Sequence, residues 1–233
     1  MQRVINFSGG KSSAFMTIME YKEGDIVLFC DTGREHPKTY KFIHDFEAFE
    51  NIPVTWVKYE GGFERLLQVK KAIPNRFKKF CTIELKVKTA RRYLRGKGFM
   101  KYENLIGFRI DEPLRINRWV EKWQQVKTIF PLRVNKSEVN SYWKNKPYTL
   151  EIPSILGNCT LCFQKGKNAI SAILREHPEL GDVWIADEEN NKKGNTYFEG
   201  ITIRQLRNIA QNNLFKDYDL NEIKPAFDCA CTS

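Results

Sequence analysis

The first twenty residues constrain the fold of this chain more than any other stretch. Val4-Ile5-Asn6-Phe7 is a short apolar run, and Ser8-Gly9-Gly10-Lys11-Ser12-Ser13 is a polar turn with adjacent glycines. Phe15, Met16, Met19 and Tyr21 then recur at helical spacing. The order is strand, glycine turn, helix, and it repeats. Residues 25–30 form a second apolar run that leads through the turn at 31–37 into a helix expected to place Phe42, Phe46 and Phe49 inward. Residues 53–57 make a third strand. Strands that alternate with helices are joined by right-handed crossovers, so the expected fold is α/β, a parallel twisted sheet with flanking helices. Ligand sites in such sheets lie beyond the carboxyl ends of the strands, where both polar turns stand.

Farther along, Ile83, Val87, Ala90 and Leu94 stripe one side of another helix, and residues 105–108 read as a strand delivering Arg109, Asp111 and Glu112 to the same rim. Beyond Pro131 the pattern is irregular, with prolines at 131, 147 and 153, helices expected near 165–175 and 202–212, and a polar surface loop at 189–195. These features divide the chain into an α/β core over 1–130 and a cysteine-containing C-terminal helical region over 131–233. The two are expected to pack as one unit, because a single core stops growing only near roughly 250 to 300 residues.

Charge is concentrated rather than spread. The net charge is +10, and between Lys70 and Lys97 eleven Lys or Arg face one acid, Glu84. Such a run predicts a polyanionic partner, either nucleotide phosphates or a nucleic-acid backbone held by residues 70–97; a solvated helix face is the plainer alternative. No stretch nears the roughly 18 apolar residues of a spanning helix, and the N-terminus lacks a basic-then-apolar leader pattern, so the expected location is cytoplasmic, away from membranes. Six cysteines in such a compartment argue for metal, cluster or redox work over structural disulfides.

A glycine pair between strand and helix lets backbone N–H groups approach a phosphate, favoured by the positive end of the helix dipole. Lys11 and the hydroxyls of Ser8, Ser12 and Ser13 add to that site. The turn is neither the usual triphosphate loop, since Ile5 stands where a glycine is needed, nor the dinucleotide fingerprint. Asp31 and Thr32 either contact a ribose or cap a helix. Arg109 either binds an oxyanion, with Asp111 and Glu112 orienting it or holding Mg²⁺, or belongs to a surface ion-pair cluster. Lys86 is a candidate phosphate ligand within a lysine-rich run.

Together these motifs resemble a known family. Ser8 to Ser13 look like the pyrophosphate loop of the adenine nucleotide alpha hydrolase superfamily. Asp31-Thr32-Gly33 through Pro37 is similar to a segment of the phosphoadenosine phosphosulfate (PAPS) reductases. Residues 80–86 and 107–115 resemble two further stretches of that family. The resemblance implies an adenine nucleotide, ATP or PAPS, bound by Ser8, Gly9, Gly10, Lys11, Ser12, Ser13, Asp31, Thr32, Gly33, Lys86, Arg109, Asp111 and Glu112, with catalytic roles for Lys11, Arg109 and Cys81. The implied reaction is either sulfonucleotide reduction with a thiol reductant or ATP-dependent sulfur transfer. One departure matters: Ser12 stands where ATP-cleaving relatives carry Asp, which removes a carboxylate from any Mg²⁺ site at the loop.

Cys159 and Cys162 share one turn, and Cys229 and Cys231 offer a second close pair, together enough soft ligands for tetrahedral Zn²⁺ or a [4Fe–4S] cluster. Cys81 with Cys159 and Cys162 resembles the set of cluster-bearing reductases, although Thr82 stands where their second cysteine would be; the paired set is the preferred expectation. Redox-active free thiols or plain buried cysteines are the alternatives, and Cys30 reads as core. His36, His44 and His177 show no metal or triad spacing, and Trp119 and Trp123 read as packing. A different class of function stays open: a catalytically silent nucleic-acid-binding protein with structural zinc.

Overall fold

The computed structural model describes residues 1–117, 126–212 and 219–226. Strand β1 (Gln2–Asn6) pairs in parallel with β2 (Ile26–Asp31) on one side and β4 (Tyr102–Leu105) on the other. β3 (Val54–Lys58) extends the sheet beyond β2, and β5 (Val126–Ile129) extends it beyond β4. The order β3-β2-β1-β4-β5 reverses direction at β1, which makes the ends of β1 and β4 the switch point where such sheets open a crevice.

Alternation along the strands assigns the two faces. Ile5 and Phe29 face α1 (Lys11–Glu20), α2 (Pro37–Glu50) and α6 (Lys136–Lys144), packing with Met16, Phe42, Phe46 and Trp143. Val4, Leu28 and Cys30 face the opposite way, against Leu94 of α4 (Thr89–Gly96). A third core joins Leu66 of α3 (Gly62–Lys70) and Leu85 to helices α7 (Lys167–Glu176), α8 (Asp182–Glu189) and α9 (Ile203–Asn212). Residues beyond 130 therefore pack against both halves of the chain. A short α5 (Pro113–Asn117) follows the loop after β4.

Several local expectations shift. β4 ends at Leu105, so residues 106–108 belong to the rim loop; Asn104 sits within the strand because its side-chain oxygen accepts from the Asn6 amide at 2.5 Å. β5, α6 and α8 carry no clear pattern in the sequence. Phe49 points outward, 57% exposed, and stacks on Tyr148 with centroids 4.8 Å apart. Trp119 and Trp123 lie outside the described residues.

The stripe on Ile83 changes most. Thr82–Lys88 is a π-helix running directly into α4, and its wider turn moves the buried face off the 3.6-residue period. Ile83 is 41% exposed, whereas Leu85 and Lys86 are buried, Lys86 at 6%. A lysine in a solvated run is thereby turned into the protein.

The turn after β2 is tied to the C-terminal helices by a buried ion pair. Arg34 Nη2 lies 2.9 Å from both oxygens of Asp187, which also accepts from the Tyr197 hydroxyl at 2.8 Å, and the guanidinium rests 4.9 Å from the Phe63 ring centroid. Burial pushes the Asp187 carboxyl upward, and Arg34 opposes that. Removing one member of a buried pair leaves the other uncompensated. Asp187→Ala is therefore expected to cost about 3 kcal/mol in urea unfolding. Glu64→Gln, at the exposed carboxylate 3.0 Å from the same guanidinium, should cost less than about 1 kcal/mol.

Candidate functional site

After β1 the chain turns through Gly9 at φ 74°, the left-handed region that glycine tolerates. A Cβ there would lie 2.7 Å from Thr39 Cγ2 and 3.2 Å from Ile43 Cδ1. Gly10 is extended at φ −105° and precedes α1, which begins without a side-chain cap. Ser13 is the staple of the loop. Its buried hydroxyl donates to the Gly10 carbonyl at 2.9 Å, accepts from the Ser8 N–H at 3.1 Å and pairs with Ser8 Oγ at 3.0 Å. The Trp143 indole donates to the Lys11 carbonyl at 3.0 Å, holding the start of α1 from the other side.

The loop after β4 closes on this turn. Gly107 approaches until an added Cβ would be 3.4 Å from Ser13 Cα, and Arg109 Nη1 donates to Ser12 Oγ at 3.1 Å. Arg109 is aimed by both acids: its Nε donates to Asp111 at 2.9 Å, and its backbone N–H donates to Glu112 at 3.1 Å. Glu112 also accepts from Arg115 at 2.5 Å. Desolvation raises the Asp111 carboxyl, yet the hydrogen bond and charge of Arg109 hold it below the usual range.

These loops wall a cavity of about 670 Å³. Ser8, Gly9, Gly10, Lys11, Ser12, Ser13, Lys86, Arg109 and Glu112 all line it, so most of the expected nucleotide-binding set converges. Arg115, Lys136 and Lys165 line it as well. No pattern in the sequence singles out these three cations, because each is brought in by a separate element. Of the basic run between Lys70 and Lys97, Lys86 alone is among the lining residues.

Asp31, Thr32 and Gly33 are not brought to that cavity. Asp31 accepts from the Gly33 N–H at 2.7 Å and the Tyr40 hydroxyl at 2.8 Å, bonds that fix the turn after β2, while the cap of α2 is His36. Thr32 donates to Glu35 at 2.7 Å and lies 3.4 Å from the Cys159 sulfur. Asp111 acts on Arg109 rather than lining the cavity.

Thr32, Cys81, Cys159 and Cys162 surround a second, small pocket of about 20 Å³, and Lys86 is a wall of both. Among the described residues no three His, Cys, Asp or Glu side chains are placed to hold a metal ion, and Cys229 and Cys231 lie outside them. The described thiols alone thus do not fit a metal or cluster site. Cys30 is core as expected; burial pushes its thiol up to about 12. His36 caps α2 by accepting from the Lys38 N–H at 3.1 Å, and His44 stacks on Trp56.

The two glycines should respond differently to substitution. Gly9→Val forces a branched side chain into Thr39 at positive φ, so a loss of about 2 kcal/mol or more in thermal unfolding is expected. Gly10→Val has extended backbone and no close neighbour but the Ser8 hydroxyl at 3.6 Å, so it should fold while phosphate binding by calorimetry weakens about tenfold or more. Burial also holds the Lys11 ammonium below its ordinary value. Anion affinity should therefore fall as pH rises through that lowered pKa, and Lys11→Arg should carry affinity to higher pH in the same titration.

Residues 2–148 match the phosphoadenosine phosphosulfate reductase domain. An uncharacterized nin region protein, ORF290, of Escherichia phage lambda is 29% identical, over 79% of this chain and 73% of that protein. The crystal structure of PAPS reductase from Candida auris, in a phosphate complex, aligns with a TM-score of 0.45 at 18% identity, over 64% of this chain and 74% of that one. The matched residues run from β1 past α6 and include the glycine turn, Cys81, Lys86 and the Arg109 loop, while Cys159 and Cys162 fall beyond them. On that match this chain belongs to the phosphoadenosine phosphosulfate reductase domain family.

Proposed function

We propose that this chain binds an adenine nucleotide by its phosphate and sulfate groups in the large cavity and carries out thiol-dependent reduction of a sulfonucleotide of the PAPS type. The observation that carries this reading is the convergence of the Ser8–Ser13 turn, Arg109 and Lys86 on one cavity at the sheet's switch point, with Lys86 also walling the thiol pocket. The uncapped start of α1 offers backbone donors to an anion, and Lys11, Lys86 and Arg109 supply charge around it.

The chemistry follows from what these groups stabilise. A thiolate, assigned here to Cys81, attacks the sulfur; the S–O bond breaks and the phosphate oxygen leaves with the electron pair. The developing charge on that oxygen is what fixed amides and cations hold best. A second thiol, from Cys159 or Cys162, then attacks the sulfonated cysteine, releasing sulfite and leaving a disulfide. Two thiols thus supply the two electrons, and an external dithiol restores them. The acids beside the loop, Asp111 and Glu112, are engaged by Arg109 and Arg115, so the loop is better furnished for phosphate or sulfate than for Mg²⁺.

A second reading is ATP-dependent activation of a nucleic-acid substrate followed by sulfur transfer. The outward-facing remainder of the basic run favours it, because a free nucleotide needs no cations there.

Purified protein given PAPS with a dithiol reductant should release sulfite, and given ATP·Mg²⁺ should release no pyrophosphate. Lys86→Met should lower kcat/KM with PAPS by about 100-fold, and Cys81→Ser should abolish turnover while retaining nucleotide affinity. Pyrophosphate from ATP without sulfite from PAPS selects the second reading. Turnover of neither by intact protein defeats both and leaves the silent nucleic-acid-binding alternative.

A further inference from the structure

Phe77 is 71% exposed at the tip of a well-made turn. Asn75 Oδ1 accepts from the backbone N–H of Phe77 at 3.0 Å and of Lys78 at 3.1 Å, and Asn75 and Lys78 exchange backbone hydrogen bonds at 3.3 and 3.1 Å. The Arg76 guanidinium carbon lies 5.3 Å from the Phe77 ring centroid, so an aromatic plane and a cation are presented together. Lys78 and Lys79, which follow, are also exposed.

This turn is one wall of a cavity of about 690 Å³, large enough for a nucleotide. Opposite it stand Phe163, Lys167, Asn195 and Phe198. Lys167 Nζ donates to the Glu199 carbonyl at 3.1 Å, and Glu199 is the one carboxylate among the described lining residues. The nearby acid in the basic run, Glu84, is already bound by Lys70 at 2.7 Å and Lys88 at 3.0 Å, which leaves the cations of the turn unneutralised by it.

We infer that the Asn75 turn and this cavity form a binding site for single-stranded nucleic acid, with a base stacked on Phe77 and the backbone phosphates on Arg76, Lys78 and Lys79. An exposed aromatic interleaved with cations is what such strands recognise, since every base has a stacking face and every nucleotide a charge. A duplex buries its bases within the stack and offers Phe77 no partner. The site does not rest on nucleotide binding at the glycine turn: the two cavities share no lining residue.

The test is fluorescence anisotropy of the full chain with a labelled oligothymidylate of about 15 nucleotides across a salt series. Binding should weaken linearly in log salt. Phe77→Ala should cut affinity about fivefold to 100-fold with the salt slope unchanged, and Phe77→Trp should restore it. Lys78→Gln with Lys79→Gln should reduce the slope by about 1.4, or roughly 0.7 for each phosphate of a single strand that is no longer neutralised. Saturating PAPS should leave the affinity unchanged. No binding at low salt, wild-type affinity in Phe77→Ala, equal affinity for a duplex of the same length, or competition by PAPS would each overturn the inference. Sulfite release from PAPS is measured separately, so failure here leaves the reductase reading standing and failure there leaves this one.

Discussion

The close approach of the Gly9 turn to α2 is the constraint from which the rest of the site follows. With Thr39 and Ile43 pressed where a Cβ would stand, the chain leaving β1 has only the left-handed route into α1. That route sets where α1 begins, and the Ser13 staple fixes its first turn. The loop after β4 then packs on this turn through another glycine, Gly107, with Ser13 as its neighbour. Two loops that diverge around a switch point in the topology are thereby brought into hydrogen-bonding range at Arg109 and Ser12. A Cβ at Gly9 would collide with Thr39 of α2, whereas one at Gly107 would sit in ordinary contact with Ser13, so the close packing that shapes the cavity wall is strictest at Gly9.

Charge is the second layer, and close like charges oppose stability. Lys11, Lys86, Arg109, Arg115, Lys136 and Lys165 line a single space in which Glu112 is already shared by two guanidinium groups. Concentrated like charge raises the free energy of the folded state, and burial separately holds the Lys11 ammonium below its ordinary value. An anion relieves it. The anionic occupant proposed above would meet these cations, and its binding would add stability by mass action.

Much of this was legible in the residues and some of it was not, for definite reasons. The short apolar runs and helical spacing around the glycine turn were strong enough to give the parallel sheet, the strand–turn–helix order and the placement of Arg109 at the rim. Lys86 was readable only as one weakly distinguished cation of a lysine-rich run, because its inward position depends on a π-helix that the 3.6-residue stripe on Ile83 obscures. Arg115, Lys136 and Lys165 come from α5, α6 and the short turn after Cys162, three elements whose convergence is purely tertiary. Asp31 and Thr32 read from the sequence as either ribose contacts or turn formers; in the structure Gly33, Tyr40 and Glu35 engage their polar atoms, a set of partners that the spacing alone does not reveal.

The division of the basic run carries the last step. Eleven cations in sequence look like one feature, yet the wide π turn sends Lys86 to the cavity and the thiol pocket while Arg76, Lys78 and Lys79 remain on the outside beside Phe77. Phe163 and Tyr197 are shared between the thiol pocket and the outer cavity, as Lys86 is between the thiol pocket and the inner one. The thiols thus stand between two cavities of similar size, one built mainly from the segment that defines the family and one built mainly from residues beyond it. Apart from the Asn75–Phe77 turn, the outer walls lie after residue 148, beyond the segment matched to the family. The C-terminal helices and loops that supply most of the outer walls are held to the core by Arg34 and Asp187, so the position of the outer cavity relative to the thiols depends on that buried pair.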